Sequence, residues 1–408
     1  MDKLIPFSPP DITDNEIEAV VKVMKSGWIT TGNVNKKFEE ELCKYINVKR
    51  VKLFSSATSA MELALKIFGV CDGDEVIVPA YTYASTANVA AHLGAKIVFI
   101  DSSDDMNNFN IDLKKLERAV TNKTKAVIAV DIGGNPCDYD AVIKILESKK
   151  KLFNASENKY QKELKRALFL LDAAHSIGAV YKGKRAGSQA DISSFSFHAV
   201  KNITTAEGGA LSFNDIGNID ADEIYKEFSI LSLHGQNKSA LDKSKGGKEA
   251  WKYSIELPGY KSNMSDLHAA IGLSQLKRYN LMLNNRKKIA EVYNDILSEN
   301  KRIILPSFKN DLSESSYHLY LIRIKDYEED ERDLLIDRMS EIGIILNVHY
   351  LPLPAHKAYI DLGYNIDNYK NAFNMYKNQI TLPLYSTLNE EDAVYIAENI
   401  IKYLNNAL

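Results

Sequence analysis

The sequence of 408 residues predicts an α/β protein: a large domain with a mostly parallel sheet covered by helices, then a smaller α+β C-terminal domain. Three observations predict it. Apolar runs of strand length recur along the first half, segments of helical spacing lie between them, and one long helical pattern leads into a less regular C-terminal part.

Taken in order, Asp14 opens a helix in which Ile17, Val20, Val21 and Met24 recur at helical spacing, and Gly27 can end it. Lys52-Leu53-Phe54 reads as a short strand running into Ser55-Ser56-Ala57-Thr58-Ser59 and a helix that carries Met61, Leu65 and Phe68. Residues 75–79 read as another short strand, 96–100 and 125–130 are apolar runs of buried-strand length, and 167–171 and 192–197 continue the series, while 113–120 and 139–147 read as helices. Strands alternating with helices need crossover connections and therefore a mostly parallel sheet. Residues 149–166, rich in Lys, Asn, Glu and Gln, read as a solvated helical extension. A long helical pattern runs from Asp266 towards Leu297, and 319–324, 333–342 and 392–404 supply the elements of the small domain. The expected division is 1–270 and 271–408, with the N-terminal segment packing on the small domain.

Bulk properties exclude several classes. The chain has 51 basic and 54 acidic residues, a net charge of −3, so no basic excess points to nucleic acid. The start, Met1-Asp2-Lys3-Leu4-Ile5-Pro6, lacks the apolar core of a signal peptide, and no apolar run approaches the roughly 20 residues of a membrane-spanning helix. Cys43, Cys71 and Cys137 are scattered and form no CxxC pair, which argues against a disulfide framework and against a metal site. Three partly buried thiols in a cytoplasmic protein without membrane or nucleic-acid partners are expected.

Three clusters follow predicted strands, where open α/β sheets place their ligands. The Ser55–Ser59 run sits between a strand and a helix, and free backbone N–H groups with small hydroxyls there can hold a phosphate, although Ser and Thr at such a place are most often only caps. Leu171-Asp172-Ala173-Ala174-His175 places a carboxylate at a strand end, with small residues that let a flat ring lie close. Ser196-Phe197-His198-Ala199-Val200-Lys201-Asn202 leads to Glu207-Gly208-Gly209, so Lys201 follows an apolar strand and precedes a glycine pair that allows close backbone approach. A partly desolvated lysine has a lowered pKa and can attack an aldehyde. His198 invites a hydrolase reading, but no G-x-S-x-G elbow accompanies it, and a supporting or packing role fits better. The joint order supplies a phosphate anchor, an electron-sink partner and an amine, which is what pyridoxal phosphate needs.

At these residues the sequence resembles the DegT/DnrJ/EryC1/StrS family of sugar aminotransferases, which have the fold-type I, aspartate aminotransferase-like architecture. The likeness extends from Ser26-Gly27-Trp28-Ile29-Thr30-Thr31-Gly32 through Gly73 to Pro79, Asp172 to Ser176, Ser196 to Gly209 and Pro258 to Asp266 into the C-terminal part. It implies pyridoxal 5'-phosphate as cofactor, with pyridoxamine phosphate as its intermediate form. Thr58, Ser59 and Ser196 would hold the phosphate, Tyr83 would stack on the ring, Asp172 would meet the ring nitrogen and His175 would lie near the ring's oxygen substituent. Lys201 would be the catalytic, Schiff-base lysine. Asn263 would reach the phosphate of a neighbouring subunit, making the active unit a homodimer, and His349 resembles a substrate-side position from the partner chain. Two departures bear on sugar recognition: Asp131 stands where many relatives have His, and the 149–166 segment exceeds the shorter family form.

The resemblance implies transfer of an amino group from L-glutamate to a keto carbon of a nucleotide-linked deoxysugar for cell-surface polysaccharide. A UDP-linked 2-acetamido-4-keto-6-deoxy sugar aminated at C4 is the expected substrate, because residues 131–140, 233–238 and 347–354 look closer to surface-polysaccharide members of the family. His234, Lys238, Lys261 and His349 are the candidate contacts to the diphosphate and sugars. Amination at C3 of a dTDP-linked sugar is the alternative. A sugar dehydratase of the same family would carry His in place of Lys201, and a regulatory protein would need no intact cofactor set.

Overall fold

The computed structural model describes residues 4–105, 108–244, 246 and 251–406. Residues 1–3 of the N-terminal stretch lie outside the described residues. In chain order the strands are β1 (Arg50–Phe54), β2 (Glu75–Pro79), β3 (Lys96–Ile100), β4 (Thr124–Val130), β5 (Leu168–Asp172), β6 (Val180–Tyr181), β7 (Lys184–Arg185), β8 (Ile192–Ser196), β9 (Gly209–Phe213), β10 (Ile303–Ile304), β11 (Ser313–Glu314), β12 (Tyr320–Ile324) and β13 (Gln379–Leu382). Seven of them form one sheet in the order β1-β9-β8-β5-β4-β2-β3. Only β9 runs against the rest of this sheet, pairing antiparallel with both β1 and β8. The other pairs are parallel, so those strands present their C-terminal ends along one edge.

Strand side chains alternate between faces, and the sheet accordingly splits its apolar residues between two cores. Val76, Val78, Ile128, Leu168 and Leu170 pack on one side with Met61 and Leu65 of helix Ala57–Ile67. Ile77, Val127, Phe169 and Leu171 pack on the other with Phe38 and Leu42 of helix Asn33–Ile46 and with Tyr279. Both faces are covered, which is why β4 and β5 read as continuous apolar runs. A third core gathers Ile289, Tyr293, Tyr320, Ile322, Ile380, Ile396 and Ile400 around the small sheet β10-β12-β13. Helix Asp266–Leu297 joins the cores, with Leu283 packing against the second and the third. A division between residues 270 and 271 falls inside this helix. Ile5 pairs with Ile344 and is buried in the third core.

Three expectations need correction. Helix Asp14–Ser26 forms, ended by Gly27 in the left-handed conformation at φ 74°, but Ile17 and Met24 are 54% and 62% exposed. Its buried face carries Val23 and Glu16, and Glu16 accepts hydrogen bonds from Ser274 at 2.8 Å and from Arg278 on the long helix. The polar contact, not the apolar stripe, decides which face turns inward. The 149–166 segment is also less solvated than its composition implies: its helix, Lys159–Leu164, buries Tyr160 and Gln161. Gln161 donates to the carbonyl of Phe68 and Asn158 to that of Ile67, both at 2.8 Å, so polar side chains satisfy the carbonyls at the end of helix Ala57–Ile67. Of the three thiols, Cys137 is buried, Cys43 half-buried and Cys71 exposed. No helix of the described residues is long and apolar enough to cross a membrane.

Gly209 opens β9 where the backbone of the site is tightest. A Cβ there would stand 2.3 Å from the Ala57 nitrogen and 2.4 Å from the Ser56 carbonyl carbon. Neither backbone atom can rotate away, so Gly209→Ala should lower stability by about 1–3 kcal/mol by urea titration. An unchanged midpoint would mean that the helix start yields freely.

Candidate functional site

The C-terminal strand ends converge on a cavity of about 330 Å³. From β1 the chain passes through Ser55 and Ser56 into helix Ala57–Ile67, and Ser56 caps it by accepting from the Ser59 N–H at 3.0 Å. The Ser59 hydroxyl donates back to the Ser56 carbonyl at 3.0 Å, while Thr58 lines the cavity. A helix N-terminus opening into a cavity favours an anion through its free N–H groups. β8 ends at Ser196, which lines the same cavity and pairs with Gly209.

β5 ends at Asp172, which accepts from the Thr86 hydroxyl at 2.8 Å and from the Ala174 N–H at 3.2 Å. Burial raises its carboxyl pKa, and the Thr86 and Ala174 hydrogen bonds and the nearby Lys201 only partly offset that. Lys201 lies in the turn after β8, its N–H bonded to the His198 carbonyl at 2.9 Å. Burial lowers the Lys201 amine to about 8, against the opposing pull of Asp172. A larger share of this amine is therefore uncharged and nucleophilic near neutral pH than of an ordinary lysine.

Three buried or half-buried histidines complete the wall. His175 accepts from the Gly133 N–H at its Nδ1 at 3.3 Å, and its Nε2 faces the Tyr350 hydroxyl at 3.1 Å. Its ring packs on His318 with centroids 4.4 Å apart. His318 Nδ1 is 2.8 Å from the side-chain oxygen of Asn202, whose amide nitrogen donates to the Ser316 carbonyl at 2.8 Å. His349 is held between the Thr381 hydroxyl at 2.9 Å and the Phe7 ring, stacked at 5.5 Å. Burial, reinforced by Lys201, lowers the pKa of all three, with His349 brought down to about 3. Asp131 is buried and accepts from the Cys137 N–H at 2.9 Å and the Tyr139 hydroxyl at 2.7 Å. Burial raises it to about 6. It shapes the turn that presents Gly133 to His175.

Of the residues singled out in the sequence, Thr58, Tyr83, Asp172, His175, Ser196, Lys201 and His349 line this one cavity. Tyr83 is 63% exposed at its rim, its ring 6.0 Å from that of Tyr350. His349 was expected to serve a partner's site. It lines the cavity of its own chain instead, because Asn347 bridges to Thr381 on β13 and the following residues return to the sheet edge. Asn263 stands apart, donating to Thr31 at 2.5 Å and accepting from Lys261, on the wall of a second cavity of about 390 Å³. His234 and Lys261 are exposed and Lys238 half-buried, and none of the three lines the Lys201 cavity. Thr86, Asn202, His318 and Tyr350 were not anticipated. Only Thr86 had a readable signal, one helical turn beyond Thr82 after a predicted strand. Among the described residues no group of three or more His, Cys, Asp or Glu is placed to hold a metal ion.

A desolvated amine, a buried carboxylate beside it and an open helix N-terminus, all at the C-terminal edge of a mixed sheet, define a lysine-centred α/β enzyme. The chain belongs to the DegT/DnrJ/EryC1/StrS aminotransferase family, which its residues 10–401 match. It is 36% identical over 401 residues to the spore coat polysaccharide biosynthesis protein SpsC of Bacillus subtilis (strain 168), covering 97% of this chain and 96% of that one. It is 34% identical over 404 residues to the UDP-4-amino-4,6-dideoxy-N-acetyl-beta-L-altrosamine transaminase of Campylobacter jejuni, covering 98% of each. The structure of Streptococcus pneumoniae Spr1654, described as a sugar aminotransferase, matches in its PMP form with a TM-score of 0.95 at 44% identity, over 99% of this chain and 100% of that one. Its PLP form matches with a TM-score of 0.94 at 43% identity, over 100% of each.

The neutral histidines give a pH signature. A group whose folded pKa lies below its unfolded value binds fewer protons when folded, so stability is full above the unfolded value near 6.5 and falls as pH drops below it. For His349, with a folded value of about 3, the decline runs from pH 6.5 towards 3. His349→Gln in cofactor-free protein should remove about 1–2 kcal/mol of the stability difference between pH 7.5 and 5. Equal pH slopes in wild type and variant would mean that His349 titrates normally.

Proposed function

We propose that this aminotransferase binds pyridoxal 5'-phosphate in the Lys201 cavity and moves an amino group from L-glutamate to C4 of a UDP-linked 2-acetamido-4-keto-6-deoxy sugar. The observation that carries the reading is that Lys201, buried Asp172, Thr58 and Ser196 meet in one cavity at the start of helix Ala57–Ile67. The residues present fit the cofactor: Ser56 and Thr58 border a helix N-terminus that favours an anion, and the small Ala174 lines the same cavity. When bound, the cofactor supplies an aldehyde that carries the amino group and a ring that takes up electrons released at the substrate carbon.

The protein's part is binding, orientation and proton movement. Thr58, Ser59 and Ser196, with the helix N–H groups, would hold the phosphate, and Asp172 would keep a proton on the ring nitrogen. Tyr83 covers the ring from the rim, and His175 packs beside it. Lys201 Nζ would anchor the cofactor and would take and return the proton at the substrate carbon. Asn263 lines the second cavity and not that of Lys201, and is assigned to the phosphate of a partner in a homodimer. His234, Lys238 and Lys261 share that surface and are assigned, with His349, to the nucleotide sugar. Two relatives support the substrate class: one is named for polysaccharide biosynthesis and another for a UDP-linked 4-amino-4,6-dideoxy sugar. A nucleotide-linked substrate and an L-glutamate donor place the work in the cytoplasm.

The test incubates purified protein and L-glutamate with 3-keto and 4-keto deoxysugars, each in a UDP and a dTDP form, and reads amination by mass spectrometry. Preferred amination of the UDP-linked 4-keto sugar is expected. Turnover confined to dTDP-linked or 3-keto sugars would contradict the substrate while leaving the aminotransferase intact.

A further inference from the structure

We propose that Tyr350 and His318 form a donor–acceptor pair that reads the hydroxyl next to the reacting carbonyl of the keto sugar. The inference rests on the keto-sugar reading above and deepens it. The Gly133 N–H occupies Nδ1 of His175 at 3.3 Å, so a neutral His175 carries its proton on Nε2. That N–H points at the Tyr350 oxygen at 3.1 Å, which makes the phenol an acceptor there. The phenol's own proton is then left for another acceptor, and among the described residues Tyr350 has no second side-chain partner. Burial, with Asp172 and Tyr83 nearby, holds the phenol well above its ordinary range, so it remains an O–H donor at any working pH.

His318 is fixed in the opposite tautomer. The amide nitrogen of Asn202 is committed to the Ser316 carbonyl at 2.8 Å and lies 3.3 Å from the Tyr279 hydroxyl, so its oxygen faces His318. Nδ1 of His318 must donate to that oxygen at 2.8 Å, and Nε2 keeps a lone pair. Burial and the neighbouring His175 and Lys201 hold the ring neutral. Both residues line the Lys201 cavity, and His175 packs against both rings, at 4.4 Å and 6.2 Å.

The wall therefore offers one fixed donor and one fixed acceptor. A carboxylate of the amino donor can satisfy Tyr350 but has no proton for His318. A hydroxyl satisfies both. Tyr350 and His318 line the same cavity as Lys201, so the hydroxyl that reaches this wall is one close to the carbon reacting there.

The experiment compares wild-type holoenzyme on two UDP-linked 2-acetamido-4-keto sugars, one with the hydroxyl at C3 and one deoxygenated there, with L-glutamate as donor. A site whose polar groups are left unpaired rejects the deoxy compound, and kcat/KM should differ by at least about 100-fold. Tyr350→Phe, which keeps the ring, should shrink that ratio by about 10-fold or more. Comparable kcat/KM for the two ketones in wild type, or an unchanged ratio in Tyr350→Phe, would overturn the pair. If L-glutamate is consumed but neither ketone is aminated, the keto-sugar reading falls and takes this proposal with it. The wild-type comparison decides the matter even if the variant does not fold.

Discussion

Burial disfavours the charge on the Lys201 amine, Asp172 favours it, and the balance leaves the amine at about 8. The rest of the site is arranged around that balance. A nearby permanent cation would push the amine further down, and the groups that approach it are instead three histidines kept neutral by the same burial. A carboxylate in direct contact would restore the charge, and Asp172 is restrained by Thr86 and the Ala174 N–H instead. Aldehyde chemistry at neutral pH needs an amine in this intermediate condition.

The fold supplies the burial. Six parallel strands bring their ends to one edge, and the antiparallel β9 returns Gly209 against the start of helix Ala57–Ile67. The far wall comes from the C-terminal part and is stitched to the sheet edge by backbone hydrogen bonds. Ser316 donates to the Gly134 carbonyl at 3.1 Å and Leu319 to that of Gly133 at 3.2 Å. The Ser316 hydroxyl bonds the His175 carbonyl, and Asn202 bonds the Ser316 carbonyl at 2.8 Å. The turn after β4, the turn after β5 and the Lys201 turn thus share one strap, which fixes both the cavity and the tautomers of the histidines on it.

The parallel core was legible because β4 and β5 are apolar runs and β2 and β8 fall in series with them between turn residues, a pattern set by burial on both faces. Thr58, Asp172, Ser196 and Lys201 could be singled out because each lies at the end of, or a few residues beyond, a strand-length segment. The face of helix Asp14–Ser26 was not, since spacing reports a stripe but not that Arg278 and Ser274 would claim Glu16 on the other side. His318, Asn202 and Tyr350 were hidden for a related reason. Their roles depend on which nitrogen or oxygen meets which neighbour far away in the chain, and neither periodicity nor local propensity carries that information.

The central claim is that Lys201 is the reacting amine, and borohydride reduction of the holoenzyme followed by peptide mapping tests it most directly. The account predicts cofactor fixed on the peptide containing Lys201, and loss of both the label and the visible absorbance in Lys201→Ala. Label on any other lysine, or an undiminished yield in the variant, would contradict it.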